Sequence, residues 1–486
     1  MKKKITTVFS LILIVSVLAN CKKLVEVDGP STSLNSANIY ETNATAASVV
    51  TGIYTSLSSN PIYTGDLTSM SFLAGLSSDE LVLYNPAANR DLNFYYTNTL
   101  NSQSGAHVFW DNIYTDLYII NAAFEGITNS TKLSPSVKQQ LLGEVRFMRA
   151  FCFFYLVNLY GDVPLVLSTD YKVNSLIPRT PKEQVWQQII LDLKEAQELL
   201  NPNYLDATLL KVTGEKVRPT KWAATALLAR AYLYTNKFVD AEIQATAILE
   251  ASPFELVSLD QVFLKNNKEA IWQLQPVNKG WNSQEAISFA IDPIYGFSSE
   301  SVYLNQALVT SFDNGDERKN VWTNTISVEG VTYWYPTKYR SVNRLNDPDF
   351  PVDEYSTIFR LAEQYLIRAE AYIRQGKIPN GISDLNILRH RATSQTSGST
   401  QLKQLSPTMG SLDALKAVEH ERQVELFTEW GHRWLDLKRT NRIDEVMKEV
   451  LPKKVAGGVW RSFQQWYPLP QKDLQRNPSL VQNAGY

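Results

Sequence analysis

Cysteine and histidine are nearly missing from this chain: two and four residues in 486. Cys21 and Cys152 cannot build a disulfide framework. Cys152 lies in the apolar stretch Arg149-Ala-Phe-Cys-Phe-Phe-Tyr155 and reads as a small buried hydrophobe. His107, His390, His420 and His432 show no ligand spacing, so no metal site is expected. A surplus of one charge is missing too, since 47 Lys and Arg stand against 49 Asp and Glu. Without a basic stripe there is no electrostatic footprint for nucleic acid. Beyond residue 19 no apolar run reaches the roughly 20 residues of a membrane-spanning helix. G-x-S-x-G, the P-loop, G-x-G-x-x-G and H-E-x-x-H are absent as well, so no catalytic residue and no cofactor is expected. Asp79-Glu80 could in principle serve glycoside hydrolysis. Adjacent side chains usually point in different directions, and we read this pair as structural. Asp313, Asn314 and Asp316 resemble a piece of a calcium loop, but the later acidic ligand is lacking.

What is present begins at the N-terminus. Lys2, Lys3 and Lys4 precede a short, largely apolar run from Val8 to Ala19, and then comes Leu18-Ala19-Asn20-Cys21. A basic start, a short apolar region and a cut describe an export signal over residues 1–20. A cysteine at the cut is the pattern of a bacterial lipoprotein, with Asn20 where Gly, Ala or Ser is usual. Acyl chains on Cys21 would hold the protein on a membrane, because each buried methylene contributes about 0.8 kcal/mol. Losing the three lysines takes the formal charge from −2 to −5. The polar, turn-rich residues 21–36 read as a tether.

Helical periodicity starts after residue 37, with Ala46, Val49, Val50, Ile53, Tyr54 and Leu57 at spacings of three and four. Residues 60–107 read as loops and short strands. Further helices are expected over about 108–127, from Ser134 to about Tyr160, and from Pro181 to Pro202. Residues 219–250 form the clearest helix pair. Leu228, Ala229, Tyr232, Ala241 and Pro253 fall at tetratricopeptide positions. The same frame recurs at 361–389 with Ala369, Tyr372, Gly376, Gly381 and Leu385, and more weakly around Phe151, Cys152 and Tyr155. Such pairs bury their faces only by stacking, so the long segments between copies must be insertions or a separate layer. Segment 251–355 shows strand and loop features. A long helix is expected over about 411–440, then a Pro-rich irregular tail.

Several stretches together resemble one family. Gly143-Glu-Val-Arg-Phe-Met-Arg through Leu-Tyr-Gly-Asp-Val-Pro-Leu165 is similar to a helix and turn of SusD/RagB proteins. Phe312-Asp-Asn-Gly-Asp-Glu-Arg318 resembles their Asp-Pro-Arg turn, with Glu317 where Pro is usual. Arg360-Leu-Ala-Glu-Gln-Tyr-Leu-Ile-Arg-Ala-Glu-Ala-Tyr372 and Glu421-Arg-Gln-Val-Glu-Leu-Phe-Thr-Glu-Trp-Gly-His-Arg-Trp434 resemble their typical helices. The ending, Tyr467-Pro-Leu-Pro-Gln471 with Gln482-Asn-Ala-Gly-Tyr486, is similar as well. The resemblance implies a mainly α, tetratricopeptide-like fold with an irregular, loop-rich ligand layer. It divides the chain into an N-terminal region, 37–235, and a C-terminal region, 236–486, forming one compact unit. It implies a lipid-anchored outer-membrane protein facing the cell exterior, which captures glycan or peptide fragments for a SusC-like TonB-dependent transporter. A scaffold of helical repeats that binds no ligand is the alternative.

No ligand residue carries over by motif. Tyr and Trp are plentiful, at 24 and 11, and those on a surface suit stacking on sugars. Two polar, aperiodic segments hold the candidates: Tyr84, Asn85 and Arg90 in one, Trp281, Tyr295 and Trp322 in the other. The charged residues of the motifs read as structural ion pairs. Glu429 with Arg433, and Asp436 with Arg439, have helical pairing distances.

Overall fold

The helical periods become helices close to the expected bounds. The computed structural model describes residues 39–251, 253–291, 296–341, 349–394 and 400–486. The expected signal, Cys21, the tether and Tyr295 lie outside these residues. Asn43–Ser59 buries Ala46, Val50, Ile53, Tyr54 and Leu57 and is N-capped by the Thr42 side chain. His107–Asn129, Pro135–Tyr160 and Lys182–Leu199 follow as expected.

From there the helices stack in series. Pro135–Tyr160 packs on Lys182–Leu199, which packs on Lys221–Tyr234 and so to Phe238–Leu249. Phe238–Leu249 then packs directly on Leu361–Arg374, which carries Ile378–Arg391 and Ser411–Leu426. Residues 251–355 are therefore an insertion between consecutive members of the stack. The small residues explain the close approach. Ala229 and Ala369 are completely buried. A Cβ on Gly381 would lie 2.6 Å from the Ala369 carbonyl, so only glycine fits there.

Among the described residues, the insertion and its surroundings carry six short strands. They are β1 (Leu81–Leu83), β2 (Ala270–Leu274), β3 (Val302–Leu304), β4 (Thr323–Val328), β5 (Val331–Pro336) and β6 (Ser356–Arg360). Three antiparallel ladders result: β1 with β3, β2 with β6, and β4 with β5. β2 and β6 are wholly buried. One apolar cluster runs from Ala46 to Leu469, so both halves of the chain share a core. A second fills the space between Leu361–Arg374, Ile378–Arg391 and Ser411–Leu426.

Three expectations need correction. Residues 60–107 also contain the helices Met70–Ser77 and Arg90–Tyr96, too short for their period to stand out. The tail after residue 440 contains Ile443–Lys454 and Gln471–Arg476. The long helix is broken: Ser411–Leu426 ends, and His432–Arg439 begins after a turn. In that turn Thr428, Trp430 and Gly431 all have positive φ, at 54°, 49° and 71°. Left-handed backbone costs the two non-glycine residues about 1–2 kcal/mol each. Burial of the Trp430 indole, which donates to the Thr357 carbonyl at 2.9 Å, offsets this.

The break also changes the ion pairs. Glu429 accepts from Arg360 at 2.7 and 2.9 Å and from Lys338, not from Arg433. Arg433 instead grips Asp79 through two bonds of 2.8 Å. Asp436 does pair with Arg439, at 2.7 Å. Around Glu429 lies a buried network. Arg360 reaches Glu269 at 3.0 Å and Glu425 at 2.6 Å, and Arg318 reaches Asp316, Glu421 and Glu425 at 2.7–3.0 Å. Burial pushes the Glu425 and Glu429 carboxyls up, but the surrounding guanidinium groups outweigh it and hold both below their ordinary values.

Candidate aromatic binding surface

β-Strand alternation builds a partly exposed aromatic cluster. Val302 and Leu304 point into the core, so Tyr303 between them faces the other way, half-buried. Tyr84 follows β1, held by its N–H donating to the Ser301 carbonyl at 3.0 Å. The Tyr84 ring stacks on Phe297 with centroids 3.8 Å apart and planes within 5°. Tyr333 of β5 meets Tyr84, Phe297 and Tyr303 edge-on, at 5.8, 4.9 and 4.9 Å. Burial, then its neighbours Tyr333 and Tyr84, raise the Tyr303 phenol above its ordinary value. Four contiguous rings thus converge from β1, β3, β5 and the loop at Phe297. Tyr84 is 36% exposed, the largest exposure among them, and Asn85 beside it is exposed too.

Arg90 is exposed at the start of its helix, with its guanidinium 5.3 Å from the Phe94 ring. Asn89 is occupied, its side chain capping that helix at Leu92. Tyr95 and Tyr96 are core residues, at 2% and 4% exposure.

Trp281 lies elsewhere. It borders a cavity of about 510 Å³ together with Ser58, Pro61, Asp66, Gln275 and Asn278. Behind this cavity Glu285 is buried, accepting from the Ser356 hydroxyl at 2.9 Å. Burial is the main reason its carboxyl is raised to about 7. Asn282 braces the loop, accepting from the Asp353 and Glu354 N–H groups.

Trp322 must be withdrawn as a stacking residue. It is fully buried, and its indole N–H donates to the Leu259 carbonyl at 2.8 Å. Its polar sequence neighbours misled, because Glu317–Trp322 is a short helix that turns only Arg318 and Trp322 inward. Phe297, Tyr303 and Tyr333 were not singled out. The alternation Val302-Tyr303-Leu304 was the available signal, but three residues are too few to establish a period.

Chemically, the cluster offers ring faces and edges beside an amide, a surface for apolar or sugar-like faces. The carboxylates suggested for chemistry are otherwise engaged. Asp79 is bound by Arg433, and Glu80 is 1% exposed, its carboxyl raised to about 8 chiefly by burial and then by Asp79. Asp316 caps the helix at Arg318 and pairs with that guanidinium, so the calcium-loop fragment is built into the ion network.

A stack of helix pairs carrying an aromatic surface on short strands and loops defines a helical-repeat protein with an exposed aromatic face. Comparison with known proteins makes this specific: the chain belongs to the SusD family. A model of the SusD family matches residues 277–486, and one described as starch-binding and associating with the outer membrane matches residues 30–233. A SusD-like protein of Formosa agariphila is 22% identical over 538 residues, covering 100% of this chain and 99% of that one. The crystal structure of a SusD superfamily protein from Bacteroides vulgatus superposes with a TM-score of 0.75 at 21% identity, covering 91% of this chain and 99% of the other. Surface glycan-binding protein A from Bacteroides uniformis gives 0.74 at 18%, covering 90% and 99%. At these identities the structural likeness establishes the fold. The family is of a starch- and glycan-binding type associated with the outer membrane.

Proposed function

We propose that this protein is a cell-surface lipoprotein that captures glycan fragments and hands them to a SusC-like TonB-dependent transporter. The observation that carries the reading is the Tyr84–Phe297–Tyr303–Tyr333 cluster, four adjoining rings with Tyr84 partly open to solvent. Sugar rings present apolar C–H faces that stack on such surfaces, while Asn85 supplies donors and an acceptor for hydroxyls. Arg90 and Tyr295, which precedes Phe297 by two residues in the sequence, are assigned to this capture face, and Trp281, on its separate cavity, to a second contact. The mechanism is binding and delivery, not catalysis. Cys21 carries the lipid, and 21–36 spans from membrane to body. The two sequence regions, 37–235 and 236–486, act as one unit. Among the described residues no helix is long and apolar enough to cross a membrane.

The test is affinity electrophoresis against a panel of glycans, followed by titration calorimetry with the best binder. Wild type should bind at least one glycan, and Tyr84→Ala with Tyr333→Ala should weaken it about tenfold or more while the far-UV spectrum is unchanged. Binding of peptides and no glycan would replace the ligand class. Failure of the protein to co-purify with a large outer-membrane barrel under mild detergent would remove the delivery step. Membrane release of Cys21→Ala checks the anchor.

A further inference from the structure

Three aromatic side chains among the described residues are more than one third exposed, and Tyr84 is one of them. The other two, Tyr118 at 57% and Tyr171 at 73%, lie outside its cluster. Singly exposed apolar residues are ordinary on a protein surface, but these two belong to one place. Tyr118 lines a cavity of about 570 Å³, and Tyr171 opens the short helical turn whose end, Asn174 and Ser175, lines the same cavity. Tyr114 and Trp110 line it too, one and two turns earlier than Tyr118 on His107–Asn129. Spacings of four put the three rings on one helix face, about 6 Å apart along the axis. The first two are anchored: Trp110 lies 4.8 Å from Tyr114 and 5.0 Å from Tyr160 between ring centroids. Tyr118 continues the row into solvent.

Three segments wall the cavity: His107–Asn129, residues 164–175, and the end of the chain around Gln471–Arg476. The Tyr114 hydroxyl donates to the Pro164 carbonyl at 2.9 Å, Asn121 Nδ2 to the Val166 carbonyl at 2.9 Å, and the Thr169 N–H to Glu125 at 2.8 Å. Lys472 pairs with Asp111, and Asn477 Nδ2 donates to the Ile177 carbonyl at 2.8 Å. The walls hold one another, and a preformed cavity spares a ligand the cost of ordering it. Asp111 and Asp473 balance Lys472 and Arg476, so the lining favours no ion of either sign. Arg476 is exposed and, although near Asp473, makes no hydrogen bond among the described residues, which leaves its N–H donors open to hydroxyl groups. Exposed Thr115 and Ser175 add hydroxyls of their own.

We propose that this cavity is an additional glycan-binding site, holding an uncharged sugar chain with one ring face against Tyr118 and hydroxyls on Arg476. A row of rings beside neutral donors and acceptors suits a ligand with apolar faces and many hydroxyls. The proposal rests on the reading of the protein as a glycan binder, but none of its residues belongs to the Tyr84 cluster or the Trp281 cavity. Two separated sites on one chain would hold a polymer more tightly than either alone.

The test is affinity electrophoresis in soluble starch, laminarin, xylan and glucomannan, comparing the wild type with Tyr118→Ala/Tyr171→Ala and with Tyr84→Ala/Tyr333→Ala. Tyr118 and Tyr171 are exposed, so their loss should leave the far-UV spectrum unchanged. In the polysaccharide that retards the wild type, Tyr118→Ala/Tyr171→Ala should bind severalfold more weakly. Calorimetric titration with the heptasaccharide of that polymer should show one fewer molecule bound per chain. If retention and stoichiometry survive in Tyr118→Ala/Tyr171→Ala but fall in Tyr84→Ala/Tyr333→Ala, the capture face stands and this site is overturned. The reverse pattern supports this site and overturns the capture face. If no polysaccharide retards the wild type, the glycan reading falls and this site with it. A Tyr118→Ala/Tyr171→Ala chain that binds glycan like the wild type but no longer co-purifies with an outer-membrane barrel would make the face a protein contact and overturn the proposal.

Discussion

The buried ion network and the aromatic surface sit in one molecule and obey opposite rules. Around Arg360, Glu425 and Glu429 the side chains are charged, at most 7% exposed, and tied to several partners each. Around Tyr84 the side chains are aromatic, partly open, and held against one another by ring contacts. The first region is specified by long motif-like stretches, because every charge taken from water needs a partner at a set distance. The second needs only rings on strands and loops, so many sequences can build it. The recognisable parts of this chain are thus its frame, and its least recognisable part is where we place the ligand.

The largest expected effect comes from breaking the frame. Arg360→Ala leaves Glu269, Glu425 and Glu429 short of a shared buried partner and should cost about 3–5 kcal/mol, read by equilibrium chemical denaturation. A loss below about 1 kcal/mol would mean that the network is no more critical than a surface pair.

Next comes a buried carboxyl outside the network. Glu285 titrates near 7 in the folded chain against an ordinary 4.5. The folded state therefore holds its proton more tightly than the unfolded state. That contribution is complete below about pH 4.5 and is lost as pH rises through 7. Glu285→Gln should stabilise the protein above pH 7 by on the order of 2–3 kcal/mol, with little change at acid pH. Glu425 and Glu429 have the opposite sign. Their depressed carboxyls contribute above the ordinary 4.5 and lose that contribution as pH falls. Thermal midpoints of wild type and variant across acid to mildly basic pH separate the two behaviours.

Third, Ala369→Leu should overpack the helix pair against Gly381 and cost about 1–3 kcal/mol. An unchanged thermal midpoint would refute the assigned repeat register. Smallest in stability is Tyr84→Ala, at about 1 kcal/mol or less from the lost stack on Phe297. Its effect belongs in glycan affinity. If stability falls as far as in Arg360→Ala, the aromatic cluster is frame rather than binding surface.

Legibility followed the same division. The periodic helices, the pair at 219–250 and the tight Ala369–Gly381 contact could be read because each repeats a local pattern over many residues. The break at Phe427 to Gly431 could not, since helix-forming residues flank it and the partners that hold the turn, Ser71, Thr357, Arg360 and Lys338, are distant in sequence. Trp322 departs from expectation for a related reason: distant segments enclose it, with the rings of Phe263 and Phe427, the Leu259 carbonyl and the cations of Lys338, Arg360 and Arg391 around its indole. Tyr84 and Asn85 are exposed, as a turn-rich, aperiodic segment suggests, because such a segment leaves aromatic rings few places to hide.

By itself the sequence determined the helical stack, the lack of a disulfide framework, and the family to which the chain belongs. All of these rest on local periodicity, composition or contiguous motifs. Only the tertiary structure decided which carboxylate each arginine meets and that Tyr84, Phe297, Tyr303 and Tyr333 stand together. Many of those contacts join segments distant in sequence, Tyr84 with Phe297 and Arg433 with Asp79 among them, and no local pattern encodes a contact made across such a span.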